Sequence, residues 1–203
     1  MIPSSFLIIL LAFGAYGALH SLLAADAVKA RAQQLLGAKA YRSYRLAFNL
    51  LSGLALLPVL YLVWRLPDSE LWRIPWPWLL LTLAIQAGAG LGLLLSFRVT
   101  GSLEFLGMAQ FLHLREPVRP ERLRVDGLYR WMRHPIYSFS LLILWLAPVM
   151  SNNLLAVAVG VTLYIIVGTR LEERKLLRQF GEDYRNYQQT VPMFIPGLKL
   201  KRG

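Results

Sequence analysis

The sequence predicts an all-α, polytopic membrane protein with about five transmembrane helices. Of 203 residues, 56% are hydrophobic, which is too apolar for an ordinary soluble fold. Only 16% are charged, and they gather in blocks separated by long runs with none. Most of the basic residues fall in alternate blocks, as a chain crossing a bilayer repeatedly would arrange them. There is no cysteine, which excludes disulfides, thiolate metal sites and a catalytic thiol. The net charge of +11 suits either a nucleic-acid face or a membrane-surface belt, so its position along the chain has to decide.

Phe6 to Ala25 carries no charge and is as long as a hydrocarbon core of about 30 Å requires. It reads as the first span. A signal peptide is the competing reading, but no basic residue precedes the apolar run and no small-residue cleavage site follows it. His20 lies near the inner end, either as a solvated group or facing the site. Asp26 to Arg45 holds Lys29, Arg31, Lys39, Arg42 and Arg45 against one acid, and reads as a cytoplasmic loop. Leu46 to Trp64 is the second span, with Pro58 as a tolerated kink. Arg65 to Arg73 is a short exit loop, and Trp64, Trp72, Trp76 and Trp78 form an interfacial aromatic belt around it.

Ile74 to Phe97 is the third span. Its Ala84, Gly88 and Gly92, at four-residue steps, predict a helix-packing seam. Arg98 to Arg133 is polar, with a Pro-rich middle at Glu116–Pro120 that reads as an ordered loop or short interfacial helix. Pro135 to Thr169 is then uncharged for 35 residues. A single helix of that length would run about 52 Å, so the stretch must fold back. Pro148 and Ser151-Asn152-Asn153 mark the turn of a hairpin with two short arms, completed by flanking residues or set shallowly. Beyond it, Glu173, Leu177, Phe180, Tyr184 and Tyr187 recur at three- and four-residue steps, predicting a C-terminal amphipathic helix. An acid on its buried face requires a partner. Val191 to Pro196 ends this ordered part, and Lys199, Lys201 and Arg202 form a basic tail.

The three segments read as cytoplasmic hold five, seven and eight basic residues, leaving only Arg65 and Arg73 elsewhere. That bias predicts the N-terminus outside and the C-terminus inside. The basic belt accounts for the net charge, and no aromatic-interleaved basic patch points to nucleic acid. Residues 1–97 thus form a three-helix N-terminal half, and residues 98–203 a core of cytosolic loop, transmembrane hairpin and C-terminal helix.

Two polar clusters flank the hairpin: Gly127-Leu128-Tyr129-Arg130-Trp131-Met132-Arg133-His134-Pro135-Ile136-Tyr137 before it, and Glu172-Glu173-Arg174-Lys175 after it. A chain that folds back returns both to the same surface, where they form one site. Pro135 suits the first turn of a helix, whose N-terminus presents N–H groups and a positive dipole end to an anion. Gly127 allows close backbone approach to a ligand. The plainer readings are that Arg133 and His134 snorkel at the interface and that Glu172 pairs with Arg174 or Lys175 on a solvated helix face. The three histidines, His20, His113 and His134, form no ligand-spaced cluster, so no metal is expected.

The ordered motif Gly127-x-Tyr129-x-x-x-Arg133-His134-Pro135-x-Tyr137, a hairpin, Glu172-Glu173-x-x-Leu176-x-x-x-Phe180-Gly181-x-x-Tyr184-x-x-Tyr187, then Val191-Pro192 and Pro196, resembles a known superfamily. It is similar to the membrane methyltransferases that include isoprenylcysteine carboxyl methyltransferase and phosphatidylethanolamine N-methyltransferase. The resemblance covers the C-terminal half and extends back to Thr100-Gly101-Ser102. His20-Ser21-Leu22-Leu23-Ala24 and Tyr41-Arg42-x-x-Arg45 resemble the bacterial NnrU and methanethiol S-methyltransferase group. Where eukaryotic prenylcysteine enzymes carry asparagine and histidine, this chain has Leu103-Glu104-Phe105-Leu106-Gly107. Met193 stands where many relatives have a basic residue.

The resemblance implies S-adenosylmethionine as methyl donor, with S-adenosylhomocysteine as product, held between the Arg-His-Pro loop and the paired glutamates. The cofactor-binding set it implies is Gly127, Tyr129, Arg133, His134, Pro135, Tyr137, Glu172, Glu173 and Tyr184. Arg133, His134 and the helix N-terminus would meet the donor's carboxylate, a glutamate its ammonium, and the tyrosines its adenosine. Catalytic candidates are His134 and Glu172 as proton acceptors and Arg178, or Arg170, to orient an acceptor carboxylate. The implied partners are the bilayer and a lipophilic or small thiol, carboxylate or amine acceptor, at a cytoplasm-facing site in a bacterial inner membrane. The alternative is a non-catalytic NnrU-like membrane protein that keeps the scaffold for ligand binding or assembly.

Overall fold

The structure, a computed structural model, describes residues 3–41, 43–100, 123–197 and positions 108 and 112. Gly101, Ser102, the stretch 103–107, His113, the Glu116–Pro120 segment, Arg42 and the basic tail lie outside the described residues. Among the described residues the chain forms seven α-helices and two short strands. They are α1 (Ser4–Ala24), α2 (Asp26–Tyr41), α3 (Tyr44–Arg65), β1 (Glu70–Arg73), α4 (Trp78–Thr100), α5 (Pro135–Trp145), β2 (Val149–Ser151), α6 (Asn152–Phe180) and α7 (Glu182–Thr190). Four of the helices, α1, α3, α4 and α6, are long and apolar enough to cross a membrane. α5 is apolar but has only 11 residues, about 16 Å of helix, so it reaches roughly half-way through a core of about 30 Å.

The segment Asp26–Arg45, expected as a loop, is helical from Asp26 to Tyr41. Charge placement reports the side of the membrane and carries no information about conformation. The composition itself favours a helix, because Ala, Lys, Arg, Gln and Leu are strong helix formers and Asp26 sits in the first turn, where an acid complements the dipole. Gly37, at φ 74°, interrupts its course. The loop Arg65–Arg73 likewise contains an unexpected strand, β1, which pairs with β2. Four exposed residues carry no readable alternation, and a strand this short exists only by virtue of its partner. The hairpin turn falls where Pro148 and Ser151–Asn153 put it, and flanking residues do complete its second arm, since α6 runs on to Phe180.

The chain forms two compact units. The first contains α1, α2, α3 and the beginning of α6 through Val161. In it, the Phe13 ring packs on Gly160, where an added Cβ would meet the ring at 3.0 Å. The Tyr44 hydroxyl donates to the Leu23 carbonyl (2.6 Å), and His20 stands edge-on to Phe48. The start of α6 is fixed by Asn153, whose side-chain amide donates to the carbonyls of Val63 and Leu66, both at 3.1 Å. Asn153 is wholly buried, so these bonds offset the desolvation of its NH2 group.

The second unit contains α4, the residues leading to α5, α5 itself, the rest of α6 and α7. The Gln86 side chain donates to the Ile143 carbonyl (2.8 Å), and the Trp145 indole donates to Thr162 Oγ1 (3.0 Å). The buried face of α4 runs through Thr82, Ala89, Gly92 and Ser96. Ala84 and Gly88 are exposed, which corrects the predicted seam to Gly92 alone. Steps of four overshoot a helical turn by about 40°, so three residues so spaced fan away from one line. At Gly92 the packing is tight: an added Cβ would lie 2.5 Å from the Phe139 ring. Gly92→Val is expected to cost about 1–3 kcal/mol by overpacking. Thermal unfolding in detergent checks this, and Phe139→Ala in the same chain should recover part of the loss.

Candidate functional site

The site is assembled within the second unit by the residues on either side of α5 and α6. A 3-10 turn at Gly127–Arg130 follows Asp126, and Gly127 adopts φ 58°, a left-handed conformation that favours glycine. Pro135 occupies the first turn of α5, with His134 as its N-cap. No intrahelical acceptor exists for the N–H groups of Ile136 and Tyr137 in this turn. The C-terminal segment then lies along the loop. The Arg133 N–H donates to the Pro192 carbonyl (2.9 Å), the His134 N–H to the Met193 carbonyl (3.1 Å), and Ser138 Oγ to the Phe194 carbonyl (2.8 Å).

The two charged clusters meet. Arg133 Nε donates to Glu173 Oε1 at 2.7 Å, and both side chains are almost completely buried. Arg133 Nη1 also donates to the carbonyls of Gln188 (3.2 Å) and Val191 (2.5 Å). His134 sits between the glutamates, with Nε2 3.4 Å from Glu173 Oε1 and Nδ1 3.8 Å from Glu172 Oε2. Glu173 Oε2 accepts from the Gln188 side-chain amide at 2.9 Å. The buried acid predicted on the helix face therefore has its partner, and the pair closes the hairpin. Charges this deeply desolvated persist only with such complete hydrogen bonding.

Tyrosines surround this cluster. Tyr137 stacks on His134 at 5.7 Å between centroids, and its hydroxyl reaches Glu172 Oε2 at 3.4 Å. Tyr187 donates to the Tyr129 carbonyl at 2.6 Å, which ties α7 to the 3-10 turn. Tyr184 is 1% exposed, and its hydroxyl closes no hydrogen bond of ordinary geometry among the described residues. Burial pushes both the Tyr184 and Tyr187 phenols up, and the Glu173 carboxylate adds to the effect at Tyr184. Both remain neutral hydrogen-bond donors at physiological pH.

Of the residues singled out in the sequence, Tyr129, Arg133, His134, Pro135, Tyr137, Glu172, Glu173 and Tyr184 come together here, with Gly127 exposed on the adjoining turn. Arg133, Glu173 and Tyr184 are turned inward, whereas the Glu172 side chain is 46% exposed. Arg178 and Arg170 are exposed, and their side chains make no hydrogen bond or ion pair with the described residues. Gln188 and Ser138 were not anticipated. Gly181, at φ 55°, ends α6 and restarts the chain as α7, so the face extrapolated through Tyr187 is carried by two helices. The altered direction brings Gln188 onto Glu173, and helical periodicity had no means of forecasting it.

Long apolar helices carrying a buried ionic cluster, with a half-exposed carboxylate and stacked aromatics beside it, define a multi-pass membrane protein with a polar cluster as its candidate site. A family model described as "Protein of unknown function (DUF1295)" matches residues 77–191. The chain belongs to that family, and with it to the membrane methyltransferase superfamily. It is 32% identical to methanethiol S-methyltransferase of Pseudomonas deceptionensis, over 99% of this chain and 76% of that protein. It is 34% identical to methanethiol S-methyltransferase 1 of Bradyrhizobium diazoefficiens, over 92% of this chain and 65% of the relative. A 34% identity to protein-S-isoprenylcysteine O-methyltransferase B of Arabidopsis thaliana covers 42% of this chain and 46% of the plant protein. No solved structure matches.

Proposed function

We propose that this membrane methyltransferase uses S-adenosylmethionine to methylate a small thiol of the methanethiol kind. The observation that carries the reading is the meeting of Arg133 and His134 with Glu172 and Glu173 at the mouth of the hairpin. The relatives named for methanethiol S-methylation, aligned over nearly the whole chain, favour a small thiol over a prenylated protein. The donor set suits the cofactor: a half-exposed carboxylate for a cationic group, a helix N-terminus for an anionic one, and Tyr137 stacked at its edge. The cofactor would supply an electrophilic methyl group on a sulfonium, transferred by in-line displacement.

The chain's own contribution is then alignment and exclusion of water. Gly127, Tyr129, Tyr137 and Tyr184 would shape the nucleoside end, and His134, Pro135 and the first turn of α5 the anionic end. Arg133 would act through the loop it anchors. As sulfur gains carbon, a thiol acceptor must lose its proton, and His134, whose Nδ1 lies 3.8 Å from Glu172 Oε2, is the group that would take it. Arg178 and Arg170 would matter only for an acceptor with a carboxylate, and methanethiol has none. The basic belt supports a cytoplasm-facing site with the N-terminus outside.

Two measurements test this. Detergent-purified protein should bind S-adenosylhomocysteine in isothermal titration, and labelled S-adenosylmethionine with methanethiol should yield labelled dimethyl sulfide by gas chromatography and mass spectrometry. No binding at about 1 mM by folded protein would leave the non-catalytic scaffold standing instead. Binding without dimethyl sulfide would shift the acceptor to another class.

A further inference from the structure

The backbone beyond α7 is fastened, carbonyl by carbonyl, along the loop that carries His134. The Val191 carbonyl accepts from Arg133 Nη1 (2.5 Å), the Pro192 carbonyl from the Arg133 N–H (2.9 Å) and the Met193 carbonyl from the His134 N–H (3.1 Å). Ser138, one turn into α5, donates its hydroxyl to the next carbonyl, that of Phe194, at 2.8 Å. Four consecutive residues are therefore held by their main chain, and the strap they form has a fixed position beside the imidazole.

Phe194 is the side chain that this fastening brings to the site. Its ring centre lies 6.0 Å from that of His134, with the planes tilted by 46°. Tyr137, the other ring beside His134, has its hydroxyl turned to Glu172 at 3.4 Å, whereas Phe194 is half-buried and carries no polar atom. His134 is 6% exposed, so only an edge of the imidazole is open to an acceptor. A thiol that gives up its proton there must bring its sulfur within hydrogen-bond reach of a ring nitrogen. With the two ring centres 6.0 Å apart, that sulfur can also stand about 5 Å from Phe194, the favourable distance for a sulfur–aromatic contact.

We infer that Phe194 is a specificity-determining residue, the wall that the acceptor meets beside His134, and that it admits a short aliphatic thiol while penalising a long one. Ser138 is a positioning residue, which acts by holding the strap. The inference rests on the thiol-methylating reading above and deepens it to the size of the acceptor. Each methylene that a pocket of this kind has no room for is worth about tenfold or more in discrimination.

The test uses the full chain in detergent with labelled S-adenosylmethionine and two acceptors, methanethiol and butanethiol, whose sulfide products are read by gas chromatography and mass spectrometry. The quantity compared is the ratio of kcat/KM for the short thiol to that for the long one. Phe194→Ala should lower this ratio at least tenfold, about 1.4 kcal/mol, and Phe194→Trp should raise it. S-Adenosylhomocysteine affinity, measured by isothermal titration, should stay within about twofold of wild type in both variants. Ser138→Ala should lower the ratio by a smaller factor, and Ser138→Thr, which keeps the hydroxyl, should preserve it. A substitution that only loosened the fold would slow both thiols alike and leave the ratio where it was.

An unchanged ratio in both Phe194 variants overturns the inference. So does a loss of S-adenosylhomocysteine affinity in Phe194→Ala as large as its loss of turnover, which would put the ring at the donor instead. If Phe194→Ala does not fold, Phe194→Trp and Ser138→Ala carry the same comparison. Wild-type protein that methylates neither thiol fails at the earlier step and overturns the thiol reading itself.

Discussion

Replacing Arg133 by alanine is expected to destabilise the protein by about 3–5 kcal/mol and to abolish ligand binding. The guanidinium donates to Glu173 and to two backbone carbonyls, and it is 8% exposed. Its removal leaves a buried carboxylate without its cation and two acceptors without donors. The Coulomb attraction it supplies is large at this depth, but so is the desolvation that attraction offsets. The heavier penalty therefore comes from stranding the partner rather than from losing the pair. This yields a sharper test. Arg133→Met combined with Glu173→Leu removes both charges and should recover much of the stability lost in either single variant, as a double-mutant cycle in thermal unfolding would report. The Gln188 and Val191 carbonyls stay unsatisfied, so recovery should be incomplete. Binding of S-adenosylhomocysteine should not return, because the loop carrying His134 has lost its anchor. Single variants as stable as the wild type would refute the account of the site.

The second large effect is expected at Gly181. It joins α6 to α7 at φ 55° and ψ −124°, a region that side-chain-bearing residues avoid. Nothing lies within 4 Å of the position a Cβ would take, so the penalty of Gly181→Ala is backbone strain alone, about 1–3 kcal/mol. The alternative open to the variant is to straighten the junction and continue α6. That would carry Tyr184, Tyr187 and Gln188 away from Glu173 and the Tyr129 carbonyl, loosening the same loop from the opposite end. Lowered thermal stability together with weaker S-adenosylhomocysteine binding is the expected outcome. A variant unchanged in both would mean that the junction tolerates a second conformation.

Much of this protein was legible in the residue order. The long uncharged runs imposed membrane-spanning helices, because a backbone in hydrocarbon must satisfy its own hydrogen bonds. An uncharged stretch of 35 residues had to fold back, because no bilayer is thick enough for it as one helix. That constraint was enough to bring the Arg-His-Pro loop near the paired glutamates before any coordinates. Some features were less accessible. α2 was hidden because its charges were read for topology, and β1 because a four-residue strand has no period of its own.

The finer arrangement of the site belongs to the tertiary structure. Sequence periodicity put Glu173 on a buried face and required a partner for it, but could not name the groups that meet it. Those groups follow from the hairpin that brings Arg133 to it and from a glycine that redirects the chain so that Gln188 meets it. Apolar patterning acts through burial, which is summed over many residues and therefore readable along the chain. Hydrogen bonds are directional and short-ranged, and which atoms they join is decided only when separate helices are brought to within about 3 Å.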